Sequence, residues 1–284
     1  MAAPAHGPVF VESGAELRPG YRVLGALARS RSWDVYDVWS EERSVRCVAK
    51  AVRPDRLGDA RAVDGLRTEG RMLLSFTHPN IVRAYELLPG PEPALILETL
   101  TGQTLEALAL TTQRRLGARE LAYLTFQLGA AVGYVHGHGI VHLDLKPSNV
   151  IAQGGQAKLI DFSIARPPGP VRRGVGTDAY LSPEQARGDV ADARSDVWGL
   201  GVTLFQAATG RLAFPRRDGA ERHPQLSGRA SPVRAARRLP PALGDLIDAC
   251  LEPDPRARPT IPEVMAAAGS FVDVAPFEAD LAAR

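Results

Sequence analysis

One stretch limits what this chain can be: His142-Leu143-Asp144-Leu145-Lys146-Pro147-Ser148-Asn149, followed twelve residues after its Asn by Asp161-Phe162-Ser163. It gathers a carboxylate, an ammonium, a carboxamide and a second carboxylate within twenty residues. The proline inside it keeps the preceding backbone out of helical geometry, so the segment reads as a loop. The run Ala157-Lys158-Leu159-Ile160 leads into Asp161 and reads as a short strand. Two loops at strand ends could therefore present Asp144, Asn149 and Asp161 to one pocket. Asp and Asn oxygens suit Mg²⁺, a hard cation that keeps phosphate company. Asp144 is then left to take a proton from a hydroxyl.

The rest of the chain narrows the setting. Its 284 residues suffice for one large domain or two lobes. Hydrophobic content of 45% with 23% charged residues excludes a mostly disordered protein. A net charge of +2 is too small to imply nucleic acid as a partner. Cys47 and Cys250 are far apart, which fits a reducing compartment and a cytoplasmic setting. Met1 to Pro19 has no apolar core of signal type. The longest stretch without a formal charge, Leu121 to Leu143, is broken by Gln127, three His and several Gly, and reads as a buried helix and not a membrane span. Of 34 basic residues only Lys50, Lys146 and Lys158 are lysines. A lysine kept against that arginine bias marks a site that needs a compact ammonium and not a planar fork.

Along the chain, residues 1–20 read as a flexible tail rich in Pro, Gly and Ala. Short β-type segments follow at Tyr21–Leu24, Val35–Trp39 and Val45–Val52. A helix spans Ala60–Phe76, His78-Pro79-Asn80 makes a turn, and strands cover Ile81–Leu88 and Ala94–Thr99. After Gly102 helices dominate: Thr104–Leu110, Ala118–His136, Ser195–Thr209, Leu243–Leu251 and Ile261–Gly269. A small sheet with one helix followed by a mostly helical half is an α+β arrangement in two lobes. The expected divisions are an N-lobe at 21–98, a hinge at 98–102, a C-lobe at 103–270 and a tail at 271–284.

The stretch at 142–163 resembles the catalytic core of eukaryotic-type (Hanks-type) bacterial serine/threonine protein kinases, and the resemblance runs from about residue 21 to 270 with the motifs in the family's order. It implies a bilobal protein-kinase-like fold with an antiparallel N-lobe sheet, and transfer of the γ-phosphoryl of ATP to Ser or Thr of a protein substrate. Val48-Ala49-Lys50 matches the strand with the phosphate-binding Lys, and Glu69 the helix Glu that pairs with it. Asp144 becomes the catalytic base and Lys146 the group that neutralises the transferring phosphoryl. Asn149 and Asp161 hold Mg²⁺. Gly176-Thr177-Asp178-Ala179-Tyr180-Leu181-Ser182-Pro183-Glu184 resembles the segment that receives the substrate, with Thr177 bonded to Asp144 and Lys146. Glu184 pairs with Arg258, and Asp196 anchors the catalytic loop backbone. Leu27, Val35, Ala49 and Leu97 line the adenine pocket, and the backbones of Glu98 and Leu100 bond adenine.

The chain also departs from that pattern. Leu27-Ala28-Arg29-Ser30-Arg31-Ser32-Trp33-Asp34-Val35 aligns with the family's glycine-rich phosphate loop, and Ala28, Ser30 and Trp33 replace its glycines. The Trp33 ring must fold over the phosphates, pack outward or obstruct them. That loop motivates the alternative of a pseudokinase or nucleotide-binding scaffold with little turnover. Leu143 replaces the Arg before the catalytic Asp, and Ile164 to Gly176 contains no Ser, Thr or Tyr. Both absences point to activity that does not depend on phosphorylation in that loop. Ser163 replaces the Gly after Asp161-Phe162, which makes a backbone flip of Asp161 less easy. Eight Arg between Arg211 and Arg238, against Asp218 and Glu221, read as a solvated surface or as a docking face for an acidic partner or substrate.

Overall fold

The computed structural model describes residues 10–112, 114–215 and 222–272. They form two compact units, one containing the chain through Thr77 together with Val82–Thr101, the other His78–Ile81 and the chain from Gly102 onward.

The first unit is a six-stranded antiparallel sheet with one helix. Its strands are β1 (Glu16–Arg18), β2 (Tyr21–Arg29), β3 (Trp33–Ser40), β4 (Val45–Val52), β5 (Ala84–Leu88) and β6 (Ala94–Glu98), in the order β1-β2-β3-β4-β6-β5. Inward-facing residues gather Leu17, Tyr21, Val23, Tyr36, Val38, Cys47, Ala49 and Ile96 into one buried cluster, each large aliphatic member contributing roughly 1.5–3 kcal/mol. Helix α1 (Ala60–Ser75) starts at Asp59, whose carboxylate accepts from the Arg61 amide. Its buried residues Ala62, Val63, Leu66, Glu69, Gly70 and Leu73 recur at helical spacing and face β4, β5 and β6. Gly70 lets α1 approach β5: a Cβ there would lie 2.8 Å from the Leu87 side chain.

Two expectations are corrected here. Residues 1–20 are not all tail: Glu16–Arg18 pairs antiparallel with β2, and Leu17 is buried. Alternation over three residues is too short a signal to read. Ile81–Leu88 is not one strand either. Asn80 donates to the carbonyl of Ala157 at 2.8 Å and to Gln127 at 3.1 Å, so Ile81 makes a parallel bridge to Leu159 and the strand begins only at Ala84. Residues 1–9 and 273–284 lie outside the described residues.

In the second unit come β7 (Gln103–Thr104), α2 (Leu105–Thr112), α3 (Ala118–Gly137), β8 (Val150–Gln153), β9 (Gln156–Leu159), β10 (Gly169–Pro170), α4 (Pro183–Arg187), β11 (Val190–Ala191), α5 (Ala193–Thr209), α6 (Val233–Ala236), α7 (Pro241–Cys250) and α8 (Ile261–Gly269). Strands β7, β8 and β9 form one small sheet, and β10 pairs with β11. The β8–β9 turn is Gly154-Gly155 with φ +56° and +80°; two consecutive positive φ values are what a two-residue hairpin needs and what glycine tolerates. Helix α5 is buried along most of its length and is capped by Asp192 at one end and left-handed Gly210 at the other. Its Gly199 admits the loop at 142–149, since a Cβ there would lie 2.7 Å from that of Leu145. Among the described residues no helix is long and apolar enough to cross a membrane.

Candidate active site

In the first unit Lys50 lies on β4 and Glu69 on α1. Lys50 Nζ donates to both Glu69 carboxylate oxygens, at 2.9 and 2.7 Å, and both side chains are buried. A buried charge needs such a partner. Lys50 stands opposite Val35 in the sheet, Ala49 is fully buried, and Leu97 faces Val48 across the β4–β6 pair. Leu27 sits at an irregularity in the β2–β3 register and is 57% exposed. The Glu98 amide donates to the Arg83 carbonyl at 2.9 Å. Leu100 follows two residues on, partly buried.

Within the second unit the site is built on a loop held from below. Asp196, at the start of α5, accepts from the amides of His142 (2.8 Å) and Leu143 (2.7 Å), and His136 Nε2 reaches the same carboxylate at 2.8 Å. Those bonds hold Leu143 in a left-handed conformation, φ +66°, that a side chain other than glycine rarely adopts. Asp161 is also left-handed at φ +62°. Of the three described non-glycine residues with positive φ, two are candidate site positions or their immediate neighbours, where stored strain tends to gather.

Around Asp144 the donors converge. Lys146 Nζ donates to Asp144 Oδ2 and to Thr177 Oγ1, each at 2.6 Å, and Thr177 Oγ1 donates to Asp144 Oδ1 at 2.8 Å. Asn149 Nδ2 donates to the Asp144 carbonyl at 2.9 Å and to Oδ2 at 3.1 Å. That pins the Asn149 amide so that its oxygen points away from Asp144. The Asn149 amide oxygen and the Asp161 carboxylate are hard oxygen donors of the kind that suits Mg²⁺, which ordinarily takes one or two protein oxygens and completes its shell with phosphate and water.

His142 is fully buried against Phe162, with ring centroids 4.7 Å apart, and burial pushes its imidazole below the usual value so that it stays neutral. Its Nδ1 accepts from the Asp144 amide at 3.2 Å. Leu143 packs with Val141, Val171 and Ala191, flanked by Ile164 and Val175. Gln185 closes this arrangement by donating to the carbonyls of Leu143 (2.8 Å) and Val175 (3.1 Å). No sequence signal marked Gln185. Glu184 meets Arg258 in a buried bidentate pair at 2.7 and 2.9 Å.

The phosphate-loop segment is stapled. Arg29 and Asp34 face each other across the β2–β3 turn in a bidentate pair at 2.7 and 2.8 Å. The Ser30 amide donates to the Trp33 carbonyl at 2.8 Å, and Ser30 Oγ accepts from the Trp33 amide at 2.9 Å. The Trp33 ring turns onto α1 and lies over Lys50, whose ammonium is 4.8 Å from the ring centroid. The staple was unreadable in sequence because it depends on register.

The sequence matches the model of the protein kinase domain family over residues 21–268. The chain belongs to that family. Its kinase domain is 36% identical to the serine/threonine-protein kinase PkaA of Streptomyces coelicolor over 222 residues, 74% of this chain. It is 33% identical to the serine/threonine-protein kinase pkn2 of Myxococcus xanthus across 84% of this chain, and 29% identical to the serine/threonine-protein kinase PknA of Mycobacterium tuberculosis across 86%. The chain spans 40%, 31% and 59% of those proteins' own lengths, in that order.

Proposed function

We propose that this kinase domain transfers the γ-phosphoryl of Mg-ATP to serine or threonine hydroxyls of a protein. The observation that carries the reading is the closed triangle of Asp144, Lys146 and Thr177. A carboxylate offers about four lone-pair sites, so Asp144 can accept a substrate hydroxyl while holding Lys146, Thr177 and Asn149. It then takes the hydroxyl proton as the oxygen attacks phosphorus. Lys146 offsets the charge on the moving phosphoryl, and Lys50, oriented by Glu69, bears on the phosphates of the nucleotide. Mg²⁺, held by Asn149 and Asp161, would offset phosphate charge when bound. Leu27, Val35, Ala49, Leu97 and the backbones of Glu98 and Leu100 are proposed to take the adenine. The protein kinase domain is proposed to occupy 21–270, with 98–102 as its hinge.

Incubation with γ-labelled ATP, Mg²⁺ and a generic protein acceptor tests this reading, with label expected on the protein. Thermal stabilisation by nucleotide without any label would instead support the pseudokinase alternative, for which the replaced loop glycines are the motive.

Activity is proposed to need no phosphate on residues 164–176. Leu143 stands where the family usually has an Arg to meet that phosphate. It is buried with Val141, Val171 and Ala191, and this apolar packing is proposed to supply what the charge pair would. Phosphatase treatment is therefore expected to leave the rate unchanged within about twofold, whereas loss of a needed Arg–phosphate pair would cost far more. A loss of activity, or phosphate mapped within residues 164–176, would sink this part.

An acidic partner docking near Arg211–Arg238 is supported by the surplus of arginine alone. Arg222 is already bidentate with Asp178, at 2.9 and 3.2 Å, and Arg229 meets Glu252 at 2.7 Å. Arg216, Arg217, Asp218 and Glu221 lie outside the described residues. A cytoplasmic setting belongs to the same proposal. Cys47 and Cys250 are buried free thiols, and burial pushes Cys250 up to about 12, which leaves it unreactive.

A further inference from the structure

Trp33 occupies the third glycine position of the resembled phosphate loop, and its ring reaches α1 and Lys50. The indole Nε1 donates to the Ala62 carbonyl at 3.2 Å. The edge of the ring lies against Gly65, where an added Cβ would be 3.4 Å from the indole carbon. Its face covers Lys50 Nζ at 4.8 Å. Ala62, Gly65 and Glu69 recur at i, i+3 and i+7, so they share one face of α1. The indole therefore spans the first half of that face, and the Lys50 ammonium ties it to Glu69 further along. The ammonium is held between a bidentate carboxylate and an aromatic face, an arrangement that is stronger the less water reaches it.

The base of the loop cannot easily release the ring. Arg29 and Asp34 clamp the strands on either side, and Asp34 is buried. Arg53 adds two more ties, from its amide to the Ser32 carbonyl at 3.0 Å and from its guanidinium to the Ser30 carbonyl at 3.1 Å. A glycine-rich loop at this place gains close backbone approach by being free to move. Here the same residues form a short, hydrogen-bonded turn that points an indole at a helix.

We propose that Trp33 is a positioning residue that fastens α1 to the sheet and keeps the Lys50–Glu69 pair assembled before nucleotide arrives. The chain then needs no phosphate and no activating partner to bring α1 into place. The functional consequence rests on the reading of Lys50 as the phosphate-facing lysine; the fastening itself does not.

Hydrogen exchange of the nucleotide-free chain reads the fastening directly. Trp33→Ala is expected to speed exchange of α1 amides over residues 63–69 by about tenfold or more while β3 and β4 stay protected. Trp33→Phe keeps a ring over Lys50 but loses the N–H, and is expected to fall between. In transfer assays Trp33→Ala should raise KM for ATP more than it lowers kcat, because saturating nucleotide re-forms the pair. Unchanged α1 exchange in Trp33→Ala overturns the proposal, and so does a rise spread equally over β3, β4 and α1, which would mark a general loss of stability. A selective loosening of α1 in a protein whose wild type transfers no phosphate upholds the fastening and fails the proposed activity instead.

Discussion

Asp144→Asn is expected to lower kcat by roughly 10²- to 10⁴-fold, the usual contribution of a positioned general base, with nucleotide-induced thermal stabilisation unchanged. The substitution conserves shape. Asp196 holds the loop through the backbone amides of His142 and Leu143, which do not depend on the side chain at 144. What changes is the proton balance. An amide can still accept from either Lys146 or Thr177, yet it presents N–H₂ where the other oxygen stood, and it cannot take up the hydroxyl proton. Rapid-quench measurement of a single turnover, beside a melting curve with and without Mg-ATP, separates chemistry from folding. A loss below tenfold would remove Asp144 from the role of base.

Arg258→Ala is expected to destabilise the second unit by about 3–5 kcal/mol, because it strands a buried carboxylate. For a domain of this size that is a fall in Tm on the order of 10 °C. The Arg258 guanidinium joins distant parts of the chain: it is bidentate with Glu184, donates to the carbonyls of Glu252, Pro253 and Arg194, and lies 5.0 Å from the Trp198 ring centroid. Ser195 Oγ adds a bond to Glu184 at 2.7 Å. Burial raises the Glu184 carboxyl, but Arg258 and Ser195 outweigh it, and the group ends below its ordinary value of 4.5. A depressed carboxylate contributes stability that is complete above the unfolded value and is lost as pH falls through the folded one. Wild type should therefore lose stability on acidification below about pH 4.5. In Arg258→Ala the Glu184 value should rise and that part of the acid slope should vanish. The double variant Arg258→Met with Glu184→Leu should recover part of the loss, since no unpaired charge remains. Equal stability of wild type and Arg258→Ala would show that the pair does not clamp this region.

The loop around Asp144 was the most legible part of the chain, for a physical reason. Asp144, Lys146 and Asn149 are close in sequence, so a loop of any shape keeps them close in space, and the proline set its character. The two asparagines of the sequence, Asn80 and Asn149, each bond a backbone carbonyl that holds a loop in place. Lys50 with Glu69 could be read only through the family resemblance, since a lone Glu on a helix is more often a solvated face. Glu16–Arg18 could not, because its pairing with β2 gives it order that three residues do not encode. The direction of Trp33, which the sequence left open, depends on Gly65, thirty-two residues away, leaving room on α1. Ile81 lost its strand to the hydrogen bonds of Asn80 with residues far along the chain. In each miss a long-range neighbour decided the outcome, where periodicity reports only local preference.

Phosphoamino-acid analysis of a protein acceptor, after incubation of the wild-type chain with γ-labelled ATP and Mg²⁺, bears most directly on the proposed activity. Thr177 closing the triangle over Asp144 and Lys146 predicts label in phosphoserine and phosphothreonine. Label confined to phosphotyrosine or to a small molecule, or no label from a chain that binds ATP, would contradict it.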